Sequence, residues 1–262
     1  MKGYQRYKTA ILILSILVII EAIAIILLWA TRPQKVPKIA APIIKPRIAI
    51  VIDDWGYNLN NLDILEQIKY PLTMSVLPNL NYSRTVSGYL HQKGFEIILH
   101  LPMEPREKYR LEKNTLMTSM DEPTIINILK KDLSDVTYTK GVSNHMGSKA
   151  TEDSRVMEII FKELKRRNLY FLDNVVSSKS VCSALARKMN LLFSKRDIFL
   201  DNQPDLEYTR GQIYKLKTRA KIYGHAIGIG HDRKVTLEVL KEIMPELEKE
   251  GYKFVFVSDL VK

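Results

Sequence analysis

Only one cysteine, Cys182, occurs in 262 residues, so no disulfide can form within the chain and the fold must hold by packing. Zinc-finger spacing, an aromatic RNA-binding signature and a long basic run are all missing, which argues against nucleic acid as a partner. No phosphate-cradling glycine loop and no strained nucleophile elbow occurs, so two common routes to phosphoryl and acyl transfer have no foothold. Internal repeats and low-complexity tracts are absent too, which excludes solenoids and arrays. What is present is a globular balance, 46% hydrophobic and 26% charged, with a net charge of +11. That charge favours anionic partners by general electrostatics, lipid head groups and acidic glycans among them, without choosing between them.

The first segment is the one long apolar run. From Ala10 to Ala30 only Ser15 and Glu21 interrupt it, and a helix of that length spans about 30 Å, a bilayer core. Secretory signal peptides have a shorter apolar region ending in small residues, whereas this run ends in Trp29 beside Arg32, so an uncleaved signal anchor is expected. Glu21 is costly in lipid and would need protonation, a partner helix or a thin bilayer. Basic residues flank both ends, so the positive-inside rule gives no orientation. Pro33, Pro37, Pro42 and Pro46 then mark a semi-rigid extended tether. The expected organisation is a cytoplasmic tip with a transmembrane anchor over 1–31, a tether over 32–46 and one domain over 47–262. About 215 residues suffice for a single α/β barrel.

Beyond Arg47, short β-branched or apolar runs alternate with longer segments of helical period, the pattern of a parallel sheet with covering helices. Strands are expected at 48–52, 72–77, 95–99, 141–144, 170–172, 198–200, 226–230 and 254–257. Helices are expected at 59–68, 82–93, 122–135, 152–167, 180–189, 206–223 and 234–250. A closed barrel of seven or eight strands satisfies this alternation, and an open doubly wound sheet is the alternative.

Polar residues collect where these strands end. Asp53 and Asp54 follow the first, His100 the third, His145 the fourth, Asp173 the fifth, Asp201 the sixth and His231 the seventh. In parallel α/β folds such ends face one mouth, so three of the five histidines and four aspartates are expected to converge. Each alone reads as a helix cap or a hydrogen-bonded core residue. Together they suit a divalent ion with acid and base groups beside it. His91, on an exposed helix, and His225, at a strand start, are expected to be structural.

The runs IAIVIDDWGY (48–57), FEIILHLPMEP (95–105), GVSNHMGSKAT (141–151), YFLDN (170–174), DIFLDN (197–202) and GIGH (228–231) together resemble the divergent polysaccharide deacetylases, distant relatives of the NodB-type carbohydrate esterases. The resemblance covers nearly all of the chain after the tether. It implies a distorted (β/α) barrel of about seven parallel strands carrying a divalent metal, zinc by expectation, in its mouth. It further implies Asp53 as general base, Asp54 and His100 as metal ligands, and His231 as general acid with Asp173 orienting a ring or holding a proton. Asn144 and Asp201 are expected as supporting polar groups. One departure matters. The esterases supply two metal histidines four residues apart, and here Glu104 stands at that spacing from His100. Either Glu104 binds metal or substrate, or His145 arrives from the next strand end, and the rigidity of Pro102 favours His145.

The implied activity is metal-assisted hydrolysis of N-acetyl groups on a cell-wall or extracellular polysaccharide, with the domain held on the extracytoplasmic side. The alternative is a glycan-binding or envelope-scaffolding protein that keeps the fold without turnover. A metallophosphoesterase is a third reading, and it would call for paired metals and more cationic groups in the mouth.

Overall fold

The computed structural model describes residues 2–31 and 45–262, in two units that divide within the tether. Most of the expected tether, residues 32–44 with Pro33, Pro37 and Pro42, lies outside the described residues. The N-terminal unit is one helix, α1 (Lys2–Ala30). Its stretch Arg6–Ala30 is long and apolar enough to cross a membrane.

The second unit alternates as the sequence predicts. Its first half runs β1 (Arg47–Trp55), α2 (Leu62–Leu65), β2 (Thr73–Val76), α3 (Ser83–Gln92), β3 (Glu96–Met103), α4 (Glu122–Asp135) and β4 (Thr139–Met146). It continues with α5 (Ser154–Arg166), β5 (Tyr170–Asp173), α6 (Cys182–Met189), β6 (Phe193–Lys195), β7 (Ile198–Phe199), α7 (Leu206–Tyr223), β8 (His225–His231), α8 (Lys234–Lys249) and β9 (Lys253–Val255). Aspartates cap three of the helices: Asp121, Asp153 and Asp205 accept from the backbone N–H of Thr124, Val156 and Tyr208, each occupying a donor the helix itself leaves open. The expected helix over 59–68 shrinks to α2. Asn58, Asn60 and Asn61 favour turns over a helix interior, and the Asn58 side chain accepts from the Asn60 N–H instead.

All strand pairings are parallel, in the order β6-β5-β4-β3-β2-β1-β8-β7. One edge of β1 is taken by β8, while β9 and β2 share the other, β9 at Arg47–Ala49 and β2 at Val51–Trp55. The sheet therefore has nine strands, the eight expected runs plus β6, whose three residues are too few to leave a pattern. It is a distorted barrel that curls without closing, since β6 and β7 form the two edges. Only Arg196 and Asp197 separate those edges in the chain. Across the seam, Phe193 and Lys262 exchange two backbone hydrogen bonds.

Strand alternation sorts the core into two layers. Ile48, Ile50 and Ile52 of β1 and Ile97, Leu99 and Leu101 of β3 pack outward against the helices. Ala49 and Val51 of β1, Ile98 of β3, Tyr170 and Leu172 of β5, and Ile227 and Ile229 of β8 fill the barrel interior with Val257 and Leu260. Two residues beyond an inward position the next side chain again points inward, now at the mouth. Asp53, His100 and His231 all stand in that relation to Val51, Ile98 and Ile229.

Candidate metal centre

Asp53 is fully buried at the end of the inward series of β1. Asp54 would by the same alternation point outward. Instead the β1–β2 register shifts between Ile52 and Trp55, and Asp54 adopts φ 68°. A left-handed conformation costs a non-glycine residue about 1 kcal/mol or more, and here the bulge brings two consecutive carboxylates to one mouth.

Three ligating side chains meet there. Asp54, His100 and His145 each offer an atom, all within 4.8 Å of one another. Asp54 Oδ1 lies 3.4 Å from His100 Nε2 and 3.3 Å from His145 Nδ1. The two rings meet edge to face, with centroids 4.9 Å apart. Asp54 Oδ1 is buried and accepts no hydrogen bond, so lone pairs converge without a donor between them. Two ligands about 2.1 Å from a tetrahedral ion stand about 3.4 Å apart, which matches both Asp54–His separations. The set therefore fits a divalent cation. Behind it, His100 Nδ1 bonds Ser143 Oγ at 2.8 Å, and Ser143 Oγ bonds Ser75 Oγ at 2.8 Å. With Nδ1 donating to Ser143, Nε2 keeps its lone pair toward Asp54, the usual way an outer partner selects a tautomer.

Electrostatics separate the two carboxylates. Burial pushes the Asp53 carboxyl up, and the His100 charge opposes it without prevailing. Asp54 feels burial too, but the close approach of the His100 and His145 imidazoles holds it well below the usual carboxylate range. Asn174 Nδ2 donates to Asp53 Oδ2 at 2.8 Å, and Asp53 Oδ1 has no hydrogen-bond partner.

His231 faces the cluster from β8, its Nε2 3.8 Å from Asp54 Oδ2. Its Nδ1 pairs with Asp201 Oδ1 at 2.9 Å. Asp201 is fully buried, and its Oδ2 accepts from the His231 N–H at 2.9 Å and from Thr236 Oγ1 at 2.6 Å. Gly230 makes room for this clamp, since a Cβ there would meet Thr236 Cγ2 at 2.8 Å and Asp201 Oδ2 at 3.5 Å. Burial disfavours the His231 charge, but Asp201, Asp54 and Asp53 outweigh it and raise its pKa. Asp201 is likewise desolvated, and its bonds to His231 and Thr236 lower its pKa all the same.

Two expected placements differ. Asp173 does not reach His231. It belongs to the outward series of β5 and accepts from the Val175 N–H and Ser180 Oγ, so Asp201 orients the ring. Glu104 is likewise committed elsewhere: its Oε2 accepts from the Thr118 N–H and Oγ1, both at 2.6 Å, and its Oε1 pairs with Lys149 at 2.6 Å. His145, not Glu104, completes the cluster with Asp54 and His100. Asn144 is a brace, accepting from the Asn174 N–H and donating to the Met146 carbonyl. Sequence reasoning missed Asn174, which the inward series of β5 points at Asp53. It also missed Arg196, whose Nε donates to the Asn174 carbonyl at 2.7 Å and whose guanidinium lies over the Phe199 ring.

The curled parallel α/β sheet is the fold of the polysaccharide deacetylases, and here it carries an Asp-His-His cluster at its mouth. Residues 50–261 match the family model for divergent polysaccharide deacetylase, and the chain belongs to that family. It is 34% identical over 209 residues to the uncharacterized Escherichia coli (strain K12) protein YibQ, an alignment covering 80% of this chain and 66%, just under two thirds, of that one. In fold it is similar to an uncharacterized protein from Agrobacterium tumefaciens C58, with a TM-score of 0.78, 22% identity, and 84% and 91% of the two chains covered. Lower likeness links it to the catalytic domain of a peptidoglycan N-acetylglucosamine deacetylase from Eubacterium rectale ATCC 33656, with TM-score 0.54, 14% identity and coverage of 81% and 88%. A CE4 family pseudoenzyme from Bacillus anthracis shares the fold at TM-score 0.52 and 15% identity, with 82% and 65% covered.

Proposed function

We propose that the chain is a metal-dependent hydrolase that removes N-acetyl groups from a polysaccharide outside the cell membrane. The observation that carries this reading is the meeting of Asp54, His100 and His145 beside a second, buried carboxylate and opposite a carboxylate-paired histidine. Asp54, His100 and His145 hold the ion, for which zinc suits a set of two imidazoles and one carboxylate. The bound ion would polarise the acetyl carbonyl and acidify water. Asp53, whose pKa is raised by burial, takes a proton from the attacking water. His231, charged through Asp201, gives a proton to the amide nitrogen as the carbon–nitrogen bond breaks. One water and one amide yield acetate and a free amine. Asn174 keeps the Asp53 carboxylate turned to the mouth.

The anchor over 1–31 and the tether over 32–46 hold the domain over 47–262 near a bilayer, on the side where cell-wall polymers lie. The alternative of a glycan-binding or envelope-scaffolding protein rests on Glu104 standing where the esterases carry a second histidine. The presence of His145 in the cluster supports the enzyme.

The test is metal content and acetate release in parallel on the full chain in detergent, loaded with Zn²⁺ and given N-acetylated chito-oligosaccharide. Stoichiometric metal and acetate release, both lost in His100→Ala and Asp54→Ala, are expected. Metal without acetate release would favour the scaffold, and no metal would overturn the site.

A further inference from the structure

Between β3 and α4, residues 104–121 cross the rim of the barrel without a helix, joined to the sheet by one isolated parallel bridge between Met103 and Leu116. Long irregular segments in compact domains are commonly functional, and this one is held down along its length. The Glu104 carbonyl accepts from the backbone N–H groups of Lys149 and Ala150, and its carboxylate pairs with Lys149 and Thr118 as described. Ser148 Oγ accepts from the Arg106 N–H and donates to Glu107 Oε2, each at 2.9 Å. Farther along, the Tyr57 hydroxyl donates to Glu112, which ties the strap to the loop after β1. Tyr57 follows Asp54 by three residues in the chain, so this tie lies near the metal cluster.

Pinning has sorted the charges. Glu107, though exposed, is held by Ser148, and Glu112 by the Tyr57 hydroxyl. Lys108, Arg110 and Lys113 are exposed, and none of them makes an ion pair among the described residues. Between them Tyr109 is 60% exposed and Leu111 40%, and Tyr57 is 48% exposed. Exposed aromatic rings present flat apolar faces of the kind that pack on the C–H faces of pyranose rings. Unpaired cations on a fixed backbone attract anions without first breaking a partner contact.

We propose that the strap is a substrate-binding arm that selects an anionic acetylated polysaccharide, carrying carboxylate or phosphate groups, over a neutral one. This rests on the reading of the mouth as a deacetylation site, and it names the substrate class for that site. Tyr109 and Tyr57 carry sugar rings toward the metal cluster, and Lys108, Arg110 and Lys113 hold the acidic groups of neighbouring sugars.

Binding is measured on the full chain in detergent without added metal, so that turnover plays no part. Three probes of matched length serve: neutral chito-oligosaccharide, N-acetylated hyaluronan oligosaccharide as the carboxylate source, and an N-acetylglucosamine 1-phosphate oligomer as the phosphate source. With exposed ion pairs contributing about 0.2–1 kcal/mol each, one or both anionic probes should bind about tenfold tighter than the neutral one. The preference should vanish in the Lys108→Ala/Arg110→Ala/Lys113→Ala variant and at high salt. These positions are exposed, and the variant's circular dichroism spectrum and thermal unfolding midpoint, matching those of the wild type, verify its fold. Preference for either anionic probe supports the proposal and names the group recognised. Equal binding of all three, or a preference that survives the triple substitution, overturns it. Selective binding with no acetate release from any probe by the Zn²⁺-loaded chain would sink the hydrolase and keep the arm, while acetate release by the loaded chain without selectivity would do the reverse.

Discussion

Replacing Asp201 with Asn tests the pair that sets the charge of His231. Asp201 Oδ2 accepts from two donors, the His231 N–H and Thr236 Oγ1, whereas Oδ1 accepts only from His231 Nδ1. The single oxygen of the amide will therefore take the Oδ2 position, leaving its NH2 group facing Nδ1. Two donors cannot face one another, so the ring proton moves to Nε2 and the imidazolium loses its nearest anion. A hydrogen bond to a charged group contributes about 1.5–3 kcal/mol, so above its titration the protonated fraction of His231 falls roughly ten- to hundredfold. In Asp201→Asn, kcat for acetate release at pH 8 should drop by that factor with KM unchanged. NMR of the His231 ring in the metal-free full chain should show it titrating at lower pH than in the wild type. The stability effect has a definite sign. A folded-state pKa raised above the unfolded one stabilises fully below the unfolded value and is lost as pH rises through the folded one. The substitution should therefore destabilise the fold more in acid than in base. Unchanged kcat together with an unmoved ring titration would refute the assignment of Asp201.

Two further substitutions follow from the buried acids. The Asp132 carboxyl is raised to about 7, chiefly by burial, with the Asn79 hydrogen bond opposing and the Asp135 charge adding. Its ionisation therefore destabilises the fold as pH climbs from the unfolded carboxylate value to about 7, so Asp132→Asn should raise the unfolding free energy from urea titration at pH 8 by at most about 4 kcal/mol and scarcely move it at pH 4; equal effects at both would sink the account. Glu104→Gln should keep metal at full stoichiometry while weakening the strap by about 1–3 kcal/mol, read as faster protease cleavage within 105–113, and loss of metal would return Glu104 to the ligand set.

Much of this site was legible because a parallel sheet delivers the ends of its strands to one place, so a list of polar strand ends is nearly a list of mouth residues. What the list lacked was parity. Counting twos from Val51, Ile98 and Ile229 leads to Asp53, His100 and His231, and the same count from Leu172 leads to Asn174 and passes over Asp173. Asp54 breaks the count, since only a bulge with positive φ turns it inward, and no residue type announces that. The outer supports Ser75 and Ser143 were hidden for another reason: a serine in a strand is ordinary until the neighbouring strand supplies its partner. Glu104 stood as the alternative to His145 because of its spacing from His100, but spacing along a chain stands for position only while the chain stays in a strand, and β3 ends at Met103. The strand β6 escaped notice at three residues, too short for any period to register.

The seam between β6 and β7 has a consequence for the size of the bore. In a ring of strands hydrogen-bonded all the way round, strand number and stagger dictate the radius. Here two edges joined through Arg196 and Asp197 lack that constraint, and the calibre depends on what is wedged inside. Val257 and Leu260, with Val261 against them, fill the interior alongside Ile227 and Ile229 of β8. The segment from Val257 to Lys262 thus acts as a shim, and its bulk gauges how far apart His231 and the ligands on β3 and β4 are held.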